Sequence, residues 1–140
     1  MKNIVLVLSA LVFVTLTQAQ NSWTISYGKK TMLKKVTENR QKNIVNISQA
    51  SLKTNAKLTI QLFGADTANN VTLMANLDNG NNVKEWEYSG KLLIIPAAEL
   101  KTLFGKNSKL EFFYRSIPKD PAIAAVVRIR PVHICNVTLK

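Results

Sequence analysis

Apolar and polar residues alternate with a period of two along most of the chain. In SWTISY, Trp23, Ile25 and Tyr27 fall on one side and Ser22, Thr24 and Ser26 on the other. KNIVNIS is rich in β-branched residues and has the length of a strand. KLTIQLF sets Leu58, Ile60 and Leu62 together, and VTLMANL does the same for Val71, Leu73, Ala75 and Leu77. Asp78-Asn79-Gly80-Asn81 follows, and an Asn-Gly pair tolerates the positive φ of a tight hairpin. VKEWEYS then returns with Trp86 and Tyr88 on one side, and KLEFFYRS aligns Leu110, Phe112 and Tyr114. Short alternating runs bounded by turn residues are the signature of strands that each bury one face.

One segment departs from this period. IPAAELKTLFGKN carries Leu100, Leu103 and Phe104 at helical spacing, with Pro96 to open the helix and Gly105 to close it. KDPAIAA predicts a second helical turn, with Asp120 as its cap and Pro121 in its first turn. From about Val126 the alternation resumes. Val127, Ile129, Pro131, His133, Cys135, Val137 and Leu139 fall on one side. Arg128, Arg130, Val132, Ile134, Asn136, Thr138 and Lys140 fall on the other. Proline has no N–H for a ladder, so Pro131 marks an edge or a bulge in this last strand. The pattern as a whole predicts an all-β fold. Its architecture is a single antiparallel β-sandwich of seven to eight strands, immunoglobulin-like or similar, with one short helix near 96–104. Trp23 and Trp86 are expected in its core.

The first residues read differently. Lys2 precedes an apolar run from Ile4 to Leu16 and then Thr17-Gln18-Ala19, the charged, apolar and small-residue order of a secretory signal peptide. The run is too short to span a bilayer of roughly 30 Å as a helix. We therefore assign 1–19 as a signal peptide and 20–140 as one domain, exported to the periplasm or the extracellular space. No later stretch is long and apolar enough for a transmembrane helix. The domain's size suits one packed core. Its single cysteine excludes an internal disulfide framework, although an oxidising compartment would permit one.

Charge narrows the partners. The chain has 19 basic and 8 acidic residues. A field of this sign favours anionic polysaccharide, lipid phosphate or nucleic acid, and it also keeps a surface solvated. Arg115 lies on the polar side of EFFYRS, and Arg128 and Arg130 project together from the polar side of the last strand. Guanidinium groups make two-pronged hydrogen bonds to carboxylate, sulfate or phosphate, so Arg115, Arg128 and Arg130 are the candidate ligand-binding residues. The competing expectation is a cross-strand ladder in which they pair with Glu111 and Asp120.

Redox, metal and catalytic chemistry find less support. The only histidine, His133, and the only cysteine, Cys135, sit two residues apart on an otherwise apolar side. A blue-copper centre needs two histidines and structural zinc normally four ligands, so no metal site is assigned. Free cysteine behaves as a small hydrophobe, and both residues are expected to be structural, with His133 finding a buried hydrogen-bond partner. A hydrolase using His133 as base would need a nucleophile and an orienting carboxylate, and no local motif supplies them. Glu85 and Glu87 share a face about 7 Å apart, room for the water of an inverting glycosidase, but alternation with Trp86 and Tyr88 places them on a solvated side. No catalytic residue and no cofactor is expected. Asn46, Asn70 and Asn136 each begin an N-glycosylation acceptor triplet, and Asp66-Thr67-Ala68 resembles a short O-glycosylation motif.

SIPKDPAIAAVVRIRPVHICNVTLK, together with NIVNISQASLK and LIIPAAELKTLF, resembles small exported Bacteroidetes β-sandwich proteins, a group with no assigned activity. The resemblance implies bacterial export and a compact β domain, and it carries over no site residue. The expected function is non-catalytic binding, through a basic face, of an acidic polysaccharide or an envelope protein, without specific nucleic-acid recognition. A second expectation is a structural or accessory subunit of an envelope complex whose last strand completes a partner's sheet, and a third is a small hydrolase using His133.

Overall fold

The structure is a computed structural model that describes residues 21–65 and 67–140. The expected signal peptide and Asp66 of the O-glycosylation-like triplet lie outside the described residues. The described residues are mostly β, with nine strands among them: β1 Ser22–Tyr27, β2 Lys30–Val36, β3 Ile44–Ile47, β4 Lys57–Phe63, β5 Asn69–Leu77, β6 Asn82–Tyr88, β7 Leu93–Pro96, β8 Lys109–Pro118 and β9 Val132–Leu139. Two helices, α1 Ala97–Phe104 and α2 Pro121–Ala124, and a 3-10 turn at Gln49–Lys53 interrupt them. The strands form a four-stranded sheet ordered β2-β1-β4-β7 and a five-stranded sheet ordered β3-β9-β8-β5-β6.

Most strands lie where alternation places them. β4 shows the pattern plainly: Leu58, Ile60 and Leu62 are buried between exposed or half-buried Lys57, Thr59, Gln61 and Phe63. The β5–β6 hairpin turns at Gly80, whose φ of 85° only glycine adopts without strain. α1 begins after Pro96 and ends at Gly105, and Asp120 caps α2 by accepting from the backbone N–H of Ala122 at 2.9 Å.

One apolar cluster takes side chains from both sheets. Trp23, Ile25 and Ile60 come from the first, Leu73, Phe112 and Cys135 from the second, and Leu100 and Phe104 of α1 close one side. Each such aliphatic or aromatic side chain contributes about 1.5–3 kcal/mol on leaving water. Hydrogen bonds also cross between the sheets. The Trp23 indole donates to the Ile134 carbonyl at 2.9 Å, the Leu62 N–H to the Tyr88 hydroxyl at 3.0 Å, and the Asn21 amide to the Tyr114 hydroxyl at 3.0 Å.

Several expectations need correction. The described residues form nine strands, because β2 and β7 add to those read from alternation. The pairing is not wholly antiparallel, since β3 runs parallel to β9, with Ile44 opposite Asn136 and Ile47 opposite Leu139. The order β2-β1-β4-β7 also differs from that of the four-stranded sheet in immunoglobulin constant domains. The last strand begins at Val132 rather than near Val126. Residues 125–127 instead extend the turn of α2, with the N–H groups of Val126 and Val127 bonded to the Ile123 carbonyl at 3.1 and 3.2 Å. Trp86 is half-buried rather than deep in the core, because β6 is an edge strand. Its ring stacks on Phe112 at 6.2 Å between centroids.

The phase of β9 changes at a bulge. Phe112 faces Cys135 and the next residue, Phe113, faces His133, which leaves Ile134 as an extra residue. Ile134 and Cys135 both enter the apolar cluster. His133 therefore does not share the face of Cys135. It falls in line with Phe113 and Met74, which pair with one another across β8 and β5 and lie outside that cluster.

Candidate functional site

The structure separates the three arginines that the sequence brings together. Arg115 lies on β8 beside Thr72 of β5, and its Nη2 is 4.0 Å from Oε2 of Glu85 on β6. Arg130 precedes β9 and is not on a strand. Its Nη1 and Nη2 donate to the two carboxylate oxygens of Glu38 at 3.0 and 2.9 Å. Arg128 is exposed in the segment after α2 and forms no ion pair among the described residues. The ladder with Glu111 and Asp120 is not formed: Glu111 accepts from Lys109 at 3.1 Å, and Asp120 is spent on its cap. Arg115 and Arg130 do form ion pairs, but with Glu85 of β6 and with Glu38 of the distant β2–β3 connection rather than with Glu111 and Asp120.

Glu38 organises this region. Oε1 also accepts from the backbone N–H of His133 at 3.0 Å. The Arg130 guanidinium holds the Glu38 carboxyl below the usual carboxylate range; partial burial opposes this and the His133 N–H adds to it. Arg40, two residues on, lays its guanidinium over the Phe113 ring at 5.4 Å. The β2–β3 connection thus folds over the Met74, Phe113 and His133 strip.

His133 is 1% exposed. Its Nε2 meets the Oδ1 of Asn136 at 2.9 Å, its ring lies edge-on to Phe113 at 5.3 Å, and Nδ1 is buried without a hydrogen-bond partner. The nearest carboxylate engages its backbone rather than its ring, so the arrangement of nucleophile, base and orienting acid that a hydrolase requires is not assembled around it. Cys135 is fully buried, and burial pushes its thiol well above the ordinary range. No group of three or more His, Cys, Asp or Glu side chains among the described residues is placed to hold a metal ion. Glu85 and Glu87 are exposed, as alternation indicated.

The strand proposed to complete a partner's sheet is also unavailable as an edge. β9 is hydrogen-bonded to β3 on one side and β8 on the other.

Among the strands, unbalanced positive charge falls on the four-stranded sheet, which holds Lys30, Lys34, Lys35 and Lys57. None of its four strands contains an acidic residue. Its outward face carries Ser22, Thr24, Ser26, Thr59 and Gln61, with Lys57 at one end and Phe63 at the other. The Lys35 ammonium sits 5.8 Å from the centroid of the Phe63 ring, and the unusual left-handed backbone of Lys35, φ 47°, turns it there. On the five-stranded sheet, by contrast, Lys109 pairs with Asp78 and Glu111, Arg115 with Glu85, and Lys84 with Glu99 of α1. The sequence signal for this asymmetry was the absence of Asp and Glu from SWTISY, KTMLKKV and KLTIQLF, which becomes visible only once those segments are known to be neighbours.

A cleft of about 430 Å³ opens where β5 begins and β6 ends, lined by Asn69, Asn70, Thr72, Glu87 and Lys119. Several of its polar groups are satisfied within the protein, Asn69 by the Ser116 hydroxyl at 2.9 Å and Lys119 by the Thr67 carbonyl at 3.0 Å. Compared with known proteins, the chain matches no family model and no curated sequence.

Proposed function

We propose that the protein is an exported, non-catalytic binding domain, a β-sandwich whose four-stranded sheet presents its outer face to an anionic polysaccharide. The observation that carries this reading is the acid-free composition of that sheet, set against the paired charges of the other one. Lys35 and Lys57 would meet carboxylate or sulfate groups, and Thr59 and Gln61 the sugar hydroxyls. Phe63 supplies a flat apolar surface for the face of a sugar ring. The shared apolar cluster and the hydrogen bonds between the two sheets support the sandwich architecture. The charged, apolar and small-residue order of residues 1–19 supports export to the periplasm or the extracellular space, as does the resemblance to exported Bacteroidetes proteins.

A panel of anionic and neutral glycans, titrated against the protein and the Lys35→Ala/Lys57→Ala variant, tests the proposal. Binding should be confined to anionic members and weaken as salt rises, since exposed charges are screened over about 8 Å at physiological ionic strength. The double variant should bind about three- to tenfold more weakly at low salt, in keeping with the modest strength of exposed charge pairs. An Arg115→Ala variant should bind normally. Absence of binding to every anionic glycan at low salt overturns the reading.

A further inference from the structure

The connection between β8 and β9 holds the most exposed large hydrophobic side chain among the described residues, Val126. Residues 121–127, PAIAAVV, contain no polar side chain. They are not tucked into the core: Val126 is 83% exposed, Ile123 49% and Val127 41%. Burying aliphatic side chains is the main favourable term in folding, so a run that leaves three of them in water has something else to meet.

The backbone of this run narrows what that is. Pro121 has no N–H. The N–H of Ala122 is taken by the Asp120 carboxylate at 2.9 Å, and that of Ala124 by the Asp120 carbonyl at 2.9 Å. Ala125 donates to the Pro121 carbonyl at 3.0 Å, and Val126 and Val127 both donate to Ile123. A tip with five of its six backbone N–H groups, all but that of Ile123, satisfied locally offers little to a pairing strand, and it can enter an apolar phase without stranding those five donors.

Charge around the tip is complementary to an anionic surface. The register places the end of β8, the start of β5 and the end of β6 at one end of the five-stranded sheet, with Pro118 opposite Asn69 and Tyr88 opposite Val71. Lys119, Lys91 and Arg128 lie in the connections at that end, and Arg40 caps Phe113 nearby. None of these four cations forms an ion pair among the described residues, whereas Arg130 is neutralised by Glu38. Asp120, Glu87 and Glu38 are the acids nearby; Asp120 is committed to the cap, and Glu38 to Arg130 and the His133 N–H.

We propose that the β8–β9 connection is a membrane-docking tip: Ile123, Val126 and Val127 enter the headgroup and upper acyl region of an anionic phospholipid bilayer, while Arg128 and Lys119 meet lipid phosphates. Apolar insertion combined with electrostatic attraction is how peripheral proteins hold to such surfaces. The surface is separate from the acid-free sheet, so the two proposals stand or fall independently.

Co-sedimentation with vesicles tests the proposal, using phosphatidylcholine alone and phosphatidylcholine containing phosphatidylglycerol. The full domain should bind the phosphatidylglycerol vesicles and bind pure phosphatidylcholine much more weakly. Val126→Asp/Val127→Asp should lose at least about tenfold in affinity, the equivalent of withdrawing one aliphatic side chain from an apolar phase. Arg128→Ala should lose less, and its loss should vanish at high salt. Val126→Trp supplies a second readout: the emission of the introduced indole should shift to the blue on phosphatidylglycerol vesicles and be quenched by brominated acyl chains. Lys57→Ala/Gln61→Ala, on the proposed glycan face, should bind vesicles like the parent. Failure to bind phosphatidylglycerol vesicles overturns the proposal. So does equal binding by the double aspartate variant, or an emission from the Val126→Trp variant that vesicles leave unshifted. A protein partner captured through this tip without any vesicle binding would also replace it.

Discussion

The indole N–H of Trp23 donates to the carbonyl of Ile134 at 2.9 Å, joining the first strand of one sheet to the bulge in the last strand of the other. The Asn43 side-chain amide donates to the same oxygen at 3.2 Å. A bulge takes its extra residue out of the regular ladder, and a buried carbonyl left there needs partners from elsewhere. Trp23 and the buried Asn43 supply them.

Trp23→Phe keeps an aromatic ring in the cluster and removes one donor. We expect a loss of about 1–3 kcal/mol, the cost of a weakened hydrogen bond and a smaller ring. Because Asn43→Ala acts on the same carbonyl, the two changes should not add. Urea denaturation of both single variants and the double variant measures the coupling, and strict additivity would show that the shared acceptor has no energetic meaning.

Glu38 predicts a pH dependence. Its folded-state pKa lies below the ordinary carboxylate value, owing first to Arg130 and, against the effect of burial, also to the His133 N–H. A depressed carboxyl contributes stability that is fully present above the unfolded value, about 4.3, and is lost as pH falls through the folded one. Glu38→Gln should therefore be less stable at neutral pH, by about 1 kcal/mol. Its melting temperature should also fall less steeply than that of the parent below about pH 5. Melting curves across that range decide the matter; parallel pH profiles for the two proteins would count against it.

Cys135 should be chemically silent in the native state. The residue is fully buried and its thiol is pushed up by desolvation, so the reactive thiolate is scarce at neutral pH. Labelling with a disulfide reagent should be slow in buffer and rapid in denaturant. Cys135→Ser should cost about 1–3 kcal/mol, since it places a hydroxyl in the apolar cluster. Rapid labelling under native conditions would contradict the burial.

Alternation alone located β1, β4, β5 and the start of β8, because each buries one face and exposes the other. It missed β2, where Lys34 and Lys35 are consecutive and the pairing to β1 shifts register twice. It missed β7, which is only four residues long and runs into a helix. VRIRP at 127–131 has strand-like alternation, yet no neighbour pairs with it, and the α2 turn and the Arg130–Glu38 contact hold it elsewhere. The phase error at His133 has the same root: a bulge is decided by the partner strand, which no local pattern encodes. The basic character of the domain was legible from composition, whereas its location was not. A charge map depends on which segments become neighbours and which acids reach across to them.

The central place of β9 has a consequence for how the chain acquires its shape. It is the last of the nine described strands to leave the ribosome, yet it stands between β3 and β8, and among the described residues β3 has no other hydrogen-bonded neighbour. Until residues 132–139 emerge, β3 is a strand without a sheet, the core lacks Ile134, Cys135 and Val137, and the Trp23 indole lacks its acceptor. Nascent chains of this protein therefore carry an open hydrophobic seam until residues 132–139 emerge. Closing that seam joins segments about 90 residues apart, as in Ile44 with Asn136, the kind of non-local pairing that makes β proteins slow to fold.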